Sequence, residues 1–173
     1  PSPHHPGALY RLDTNGSITK VVEEVGISNG LGFSPDLGLL YYVDTPTQRI
    51  DVFDYDRATG SITNRRTFVD TAGESGKPDG LTVDAEGFVW SARWEGWSCI
   101  RFAPDGQIDR RIEFPARKMT SLTFAGDELR TIYFTSANVA SDVDEDNGPD
   151  AGKVFALDSE VTGRPEFMSR LLL

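Results

Sequence analysis

Two short runs in this chain carry the side chains best suited to chemistry. Ser28-Asn29-Gly30-Leu31 and Pro78-Asp79-Gly80-Leu81 put an amide and a carboxylate at the same point of two successive repeats. Both side chains end in hard oxygen donors, the kind that divalent cations such as calcium and magnesium take. Donors at equivalent points of neighbouring repeats converge on the axis the repeats share, so Asn29 and Asp79 read as part of one metal site. A plainer reading stands beside it: Asn-Gly and Asp-Gly are common turn dipeptides whose side chains satisfy nearby backbone amides. On the residue pattern alone both readings stand, and the matching repeat positions add weight to the metal reading. Thr120 holds the same place in the third repeat and reads as a hydroxyl lining the axis, not as a ligand.

The elements that hold these residues follow from the repeats. One unit runs from Asn29-Gly30-Leu31-Gly32-Phe33 through Leu39-Leu40-Tyr41-Tyr42-Val43-Asp44 and Arg49-Ile50-Asp51-Val52-Phe53-Asp54 to Arg65-Arg66-Thr67-Phe68-Val69. The next repeats the pattern at Asp79-Gly80-Leu81-Thr82-Val83, Phe88-Val89-Trp90-Ser91-Ala92, Cys99-Ile100-Arg101-Phe102 and Arg110-Arg111-Ile112-Glu113-Phe114. A third starts at Thr120-Ser121-Leu122-Thr123-Phe124 and continues at Ile132-Tyr133-Phe134-Thr135 and Val154-Phe155-Ala156-Leu157. Unit starts at Gly30, Gly80 and Ser121 are 50 and 41 residues apart, the period of a four-stranded propeller blade. The segments are rich in Val, Ile, Tyr and Phe, stop at turns such as Ser34-Pro35-Asp36 and Pro104-Asp105-Gly106, and never hold a helical period for long.

The fold class is therefore an all-β propeller, read as one domain over residues 1–173. A partial blade over 1–25 is followed by blades over about 26–70, 75–115 and 117–173, roughly three and a half in all. A propeller removes its sheet edges only by closing its ring. The chain is accordingly expected to be the C-terminal part of a longer protein, with its own N-terminal blades as the partner of its edges.

Composition narrows the class of function. The net charge is −10, from 27 acidic and 17 basic residues, which argues against a nucleic-acid partner. No apolar run is long enough to span a membrane. Cys99 is the only cysteine, so no internal disulfide forms and a reducing compartment, the cytoplasm, is expected. Asn15-Gly16-Ser17 is a glycosylation sequon, which matters only in a secreted protein. Asp142, Asp144 and Asp146 imitate the start of an EF-hand loop, but Asn147 stands in place of its glycine and Lys153 in place of its glutamate. A solvated acidic loop is the better reading. Gly148 to Lys153 is one residue short of a phosphate-binding loop. No Gly-x-Ser-x-Gly occurs, and His4 and His5 are badly placed to serve a catalytic triad.

The ordered set Ile27-Ser28-Asn29-Gly30-Leu31, Tyr41-Tyr42-Val43-Asp44, Val52-Phe53-Asp54-Tyr55-Asp56, Pro78-Asp79-Gly80, Val83-Asp84-Ala85-Glu86-Gly87 and Ile100-Arg101 resembles the regucalcin (senescence marker protein)/gluconolactonase family. The likeness runs from about Gly7 to Leu157. It implies a six-bladed β-propeller with one divalent metal ion at the tunnel mouth. Calcium is the first expectation for that ion, with zinc, manganese or magnesium as alternatives. It also implies hydrolysis of small sugar-acid lactones. Asn29 matches the family's asparagine ligand, and Asp79 matches its aspartate ligand and proposed acid/base. The family's glutamate ligand and its substrate-binding arginine, asparagine and glutamate have no counterpart here, so the substrate-binding residues are unknown. The segment Trp90 to Trp97 departs from the family's small glycine-rich turn, and the bulk of Arg93, Trp94 and Trp97 bears on substrate choice. Trp90 reads as core, and Trp94 and Trp97 as pocket or blade-cap residues.

The implied chemistry is coherent. Water attacking a lactone builds negative charge on the carbonyl oxygen, which a divalent cation stabilises. A neighbouring carboxylate orients or deprotonates the water. Two alternatives share the same residues: a calcium-binding propeller without turnover, and a hydrolase of another ester class.

Overall fold

The computed structural model describes residues 6–139 and 145–167. Among them thirteen strands form four antiparallel sheets in chain order. The first is the two-stranded pair β1 (Gly7–Leu12) and β2 (Ile18–Val25). The second holds β3 (Ser28–Phe33), β4 (Leu39–Asp44), β5 (Arg49–Asp56) and β6 (Ser61–Asp70), paired in sequence. The third holds β7 (Lys77–Val83), β8 (Val89–Trp94), β9 (Ser98–Phe102) and β10 (Ile108–Glu113). The fourth holds β11 (Lys118–Ala125), β12 (Thr131–Ala137) and β13 (Val154–Asp158). Each four-stranded sheet is a propeller blade, so the described chain is part of a propeller. No helix among the described residues is long and apolar enough to cross a membrane.

Burial explains the pattern along each blade. The middle strands β4, β8 and β9 read as nearly continuous buried runs, because a neighbouring sheet covers both of their faces. The outer β10 is exposed apart from Ile112, and its charged sequence suits that place. The core lies between the blades. Tyr41, Val43, Ile50 and Val52 of one blade pack on Leu81, Val83, Val89 and Ile100 of the next. Trp90, Ala92 and Cys99 pack on Met119, Leu122, Ile132 and Phe134 of the third. Trp90 is a core residue, as its sequence context implies. Burial also pushes the Cys99 thiol well up, so it stays protonated and inert.

The inner strands β3, β7 and β11 lie side by side, closer than side chains allow. A Cβ on Gly30 would sit 2.6 Å from Asp79 O and Leu81 N, and one on Gly80 would sit 2.6 Å from Thr120 O and Ser121 Oγ. These glycines serve close backbone approach. The turn reading of Asn-Gly and Asp-Gly fails here, because both dipeptides lie inside strands.

At the far end of the inner strands a buried carboxylate and a C-terminal strap close the structure. Asp84, 0% exposed, accepts hydrogen bonds from Trp90 Nε1 (2.9 Å), Arg101 Nη2 (2.7 Å) and the Glu86 and Phe88 amides (3.0 Å each). The strap crosses three blades: Ala85 N donates to Thr162 O (2.9 Å), Gly163 N to Leu129 O (2.8 Å) and Arg164 Nη1 to Ser34 O (2.8 Å). Beneath it is a cavity of about 140 Å³, lined by Leu31, Thr82, Phe124 and Arg164 among others.

Replacing Gly80 by Ala forces a methyl group onto the Thr120 carbonyl. We expect a loss of about 1–3 kcal/mol, the usual cost of overpacking, read as a lower denaturation midpoint. An unchanged midpoint would show that β7 and β11 part freely.

Candidate metal centre

The ladder of each blade slips at the same point. Pairing of the inner strand with its neighbour is irregular between Ser28 and Leu31, between Pro78 and Leu81, and between Met119 and Ser121. A bulge re-aims the side chain it contains. Asn29, Asp79 and Thr120 therefore occupy equivalent bulges of three adjoining strands, all half-buried, at the end of the inner strands opposite the strap. The Thr120 and Thr135 hydroxyls are 2.7 Å apart.

Asn29 and Asp79 come together across the boundary between two blades. Burial raises the Asp79 carboxyl from its ordinary value to about 6, while hydrogen bonds from the Asn29 side chain and the Gly80 N–H pull it partly back. No cationic side chain is among the groups acting on it. A half-buried acid that meets an amide but no cationic side chain has the donor chemistry of an incomplete oxygen shell. Among the described residues, no group of three or more His, Cys, Asp or Glu side chains converges. Asn29 and Asp79 thus fit a divalent cation as two of its ligands, one neutral and one anionic.

Two of the blades anchor the segment leading into their inner strand with a residue at the end of the second strand. In the first, both Asp44 carboxylate oxygens accept from Gly26 N (3.1 Å each), and Oδ1 also accepts from Ile27 N (2.9 Å). In the second, Arg93 Nη2 donates to Gly76 O (2.8 Å), Nε to Ser75 O (3.2 Å) and Nη1 to Thr71 Oγ1 (3.1 Å). The third blade differs: Lys118, the first residue of the inner strand itself, ties residues that follow β12, with Nζ donating to Val139 O (2.6 Å) and pairing with Glu145 (2.8 Å). Arg93, 0% exposed, turns inward, and its bulk secures the loop before Asp79. Trp94 lies under Lys118, with Nζ 5.2 Å from the ring centroid, and Trp97 packs against Gly148. Arg93 is therefore framework, while Trp94 and Trp97 remain half-buried beside it.

Sequence reasoning passed over Asp44, Thr45 and the anchoring role of Arg93. The only signal was the Asp-Thr pair closing the Tyr41-Tyr42-Val43 run. Asp142, Asp144, His4 and His5 lie outside the described residues. Asp146 Oδ1 accepts from Gly148 N at 2.8 Å, a local turn.

The sequence and the structure were compared with known proteins. A family model described as SMP-30/Gluconolactonase/LRE-like region matches residues 1–138. Pentonolactonase XacC of Haloferax volcanii is 41% identical over 178 residues, covering 100% of this chain and 61% of that protein. Human regucalcin is 37% identical, covering 88% of this chain and 52% of that protein. The chain thus spans little more than half the length of such relatives. A crystal structure of the calcium-binding protein regucalcin from Agrobacterium tumefaciens superposes with a TM-score of 0.87 at 34% identity, covering 95% of this chain and 56% of that one. A luciferin-regenerating enzyme superposes with a TM-score of 0.86 at 32% identity, covering 92% and 54%. With equivalent bulges on adjoining inner strands and a match over most of its length, the chain belongs to the SMP-30/gluconolactonase/LRE-like family.

Proposed function

We propose that the intact protein is a metal-dependent lactonase that opens the ester of a small sugar-acid lactone. The observation that carries this reading is Asp79, a half-buried carboxyl set beside an amide ligand at the matching bulge of the next blade. Relatives named as lactonases support the reaction class, and one titled a calcium-binding protein supports calcium as the cofactor.

Asn29 and Asp79 would hold the cation, which supplies Lewis-acid polarisation of the lactone carbonyl. Asp79 orients a water toward the carbonyl carbon and takes its proton as the new C–O bond forms. The ring C–O bond then breaks, and the leaving oxygen recovers the proton, giving the open hydroxy acid. Burial and a neighbouring cation pull the basicity of Asp79 in opposite directions. A bound cation offsets the basicity that burial adds, so its fixed place at the bulge makes Asp79 an orienting group first. The strongly acidic surface and lone buried Cys99 fit a cytoplasmic protein that acts on a small molecule and not on nucleic acid.

The likeness to a calcium-binding regucalcin also favours a second reading, cation binding without turnover. Lactone hydrolysis measured with and without chelator separates the two.

Replacing Asp79 by Asn is expected to cost lactone hydrolysis about 10²–10⁴-fold, the range of a lost acid–base group, with the circular dichroism spectrum unchanged. A variant keeping half the activity would remove Asp79 from the mechanism.

A pH dependence follows as well. In chelated protein the folded state holds the Asp79 proton more tightly than the unfolded state does. Its contribution to stability is fully present below the ordinary carboxylate value near 3.8 and is lost as pH rises through about 6. The thermal midpoint of chelated protein should therefore show a downward component between those values that Asp79→Asn removes. An identical profile in the variant would show that burial does not act on Asp79 as described.

A further inference from the structure

We infer that Thr45, a residue outside the motifs that mark the site, is the positioning residue that aims both proposed ligands. Thr45 follows β4 at the start of a short turn of 3-10 helix, Thr45–Thr47, and is 8% exposed. Its backbone is held on both sides: its N–H donates to Ile27 O (3.1 Å) and its carbonyl accepts from Gln48 N (3.1 Å). The hydroxyl is thereby brought to the boundary between two blades. There it donates to Pro78 O at 2.9 Å and accepts from Asn29 Nδ2 at 3.1 Å.

A threonine hydroxyl has one proton and two lone pairs. The proton is committed to the Pro78 carbonyl, so toward Asn29 the oxygen can only accept. Only the amide nitrogen can answer it, which settles the rotation of the Asn29 amide: its NH₂ group serves both Thr45 and the Asp79 carboxyl, and Oδ1 lies on the side away from Thr45. A cation binds the amide oxygen and is repelled by the NH₂ group, so the orientation decides whether Asn29 is a ligand at all. The same hydroxyl fixes the peptide of Pro78, which has no N–H of its own and immediately precedes Asp79. One buried oxygen thus links the ligand of β3 to the ligand of β7.

This inference rests on Asn29 and Asp79 being cation ligands, and the test separates the two ideas. Calcium affinity of the intact protein is measured by titration calorimetry with calcium chloride for wild type, Thr45→Val, Thr45→Ser and Asn29→Ala. Val keeps the shape and removes the hydroxyl, and Ser keeps the hydroxyl. Loss of an outer group that orients a ligand typically costs about 10–100-fold in affinity, and that loss is expected for Thr45→Val, while Thr45→Ser stays near wild type. A merely structural role would lower the thermal midpoint and leave the affinity of the folded protein alone. If Thr45→Val does not fold, the smaller Thr45→Ala carries the same expectation. Calcium affinity within twofold of wild type in the Val or Ala variant, with Asn29→Ala defective, overturns the role of Thr45 alone. Undiminished affinity in Asn29→Ala overturns the site and this inference together.

Discussion

The close approach of the inner strands is the constraint on which the rest depends. Gly30 and Gly80 leave no room for a Cβ between one blade and the next, so the backbones of β3, β7 and β11 run almost in contact. Only at that spacing can side chains from two different sheets share one small volume. The bulges at the same points then turn Asn29, Asp79 and Thr120 to equivalent positions on successive strands. The glycines after Asn29 and Asp79 are thus as much a part of the site as those residues themselves.

Two carboxylates of the same blade, one buried and one half-buried, show how differently the chain treats its acids. Asp84 is wholly enclosed, yet two backbone amides, an indole and a guanidinium saturate its oxygens. Such a group is structural, since each lone pair already has a donor. Asp79 lies at the other end of β7, half-buried, with an amide and one backbone N–H acting against its burial. A carboxyl left under-compensated beside an open end suits ligand binding and proton transfer better than packing. The saturated acid sits at the strap end, and the less compensated one at the bulged end.

Much of this was legible in the sequence. The repeat of Asn29-Gly30-Leu31 in Asp79-Gly80-Leu81 pointed to equivalent places, and the short segments rich in Val, Ile, Tyr and Phe between turns pointed to blades. The turn reading of those dipeptides was locally sound but lost to tertiary packing, since a dipeptide cannot reveal that another strand passes against it. The anchors were hidden for a related reason. Asp44 and Arg93 do the same task with a carboxylate and a guanidinium, so no shared residue type marks the position. Arg93 misled most: its size suggested a substrate surface, while its burial, with a pKa lowered to about 10, belongs to a framework cation satisfied by carbonyls. Thr45 gave no signal because its role depends on a partner 33 positions away.

The central claim is that one cation joins two blades through Asn29 and Asp79. A crystal structure of the intact protein grown with calcium chloride tests it most directly. The expected result is a single ion bound by Asn29 Oδ1 and an Asp79 carboxylate oxygen at about 2.3–2.6 Å, the range for calcium–oxygen bonds. Calcium bound elsewhere, with the two side chains turned into separate blades, would contradict it.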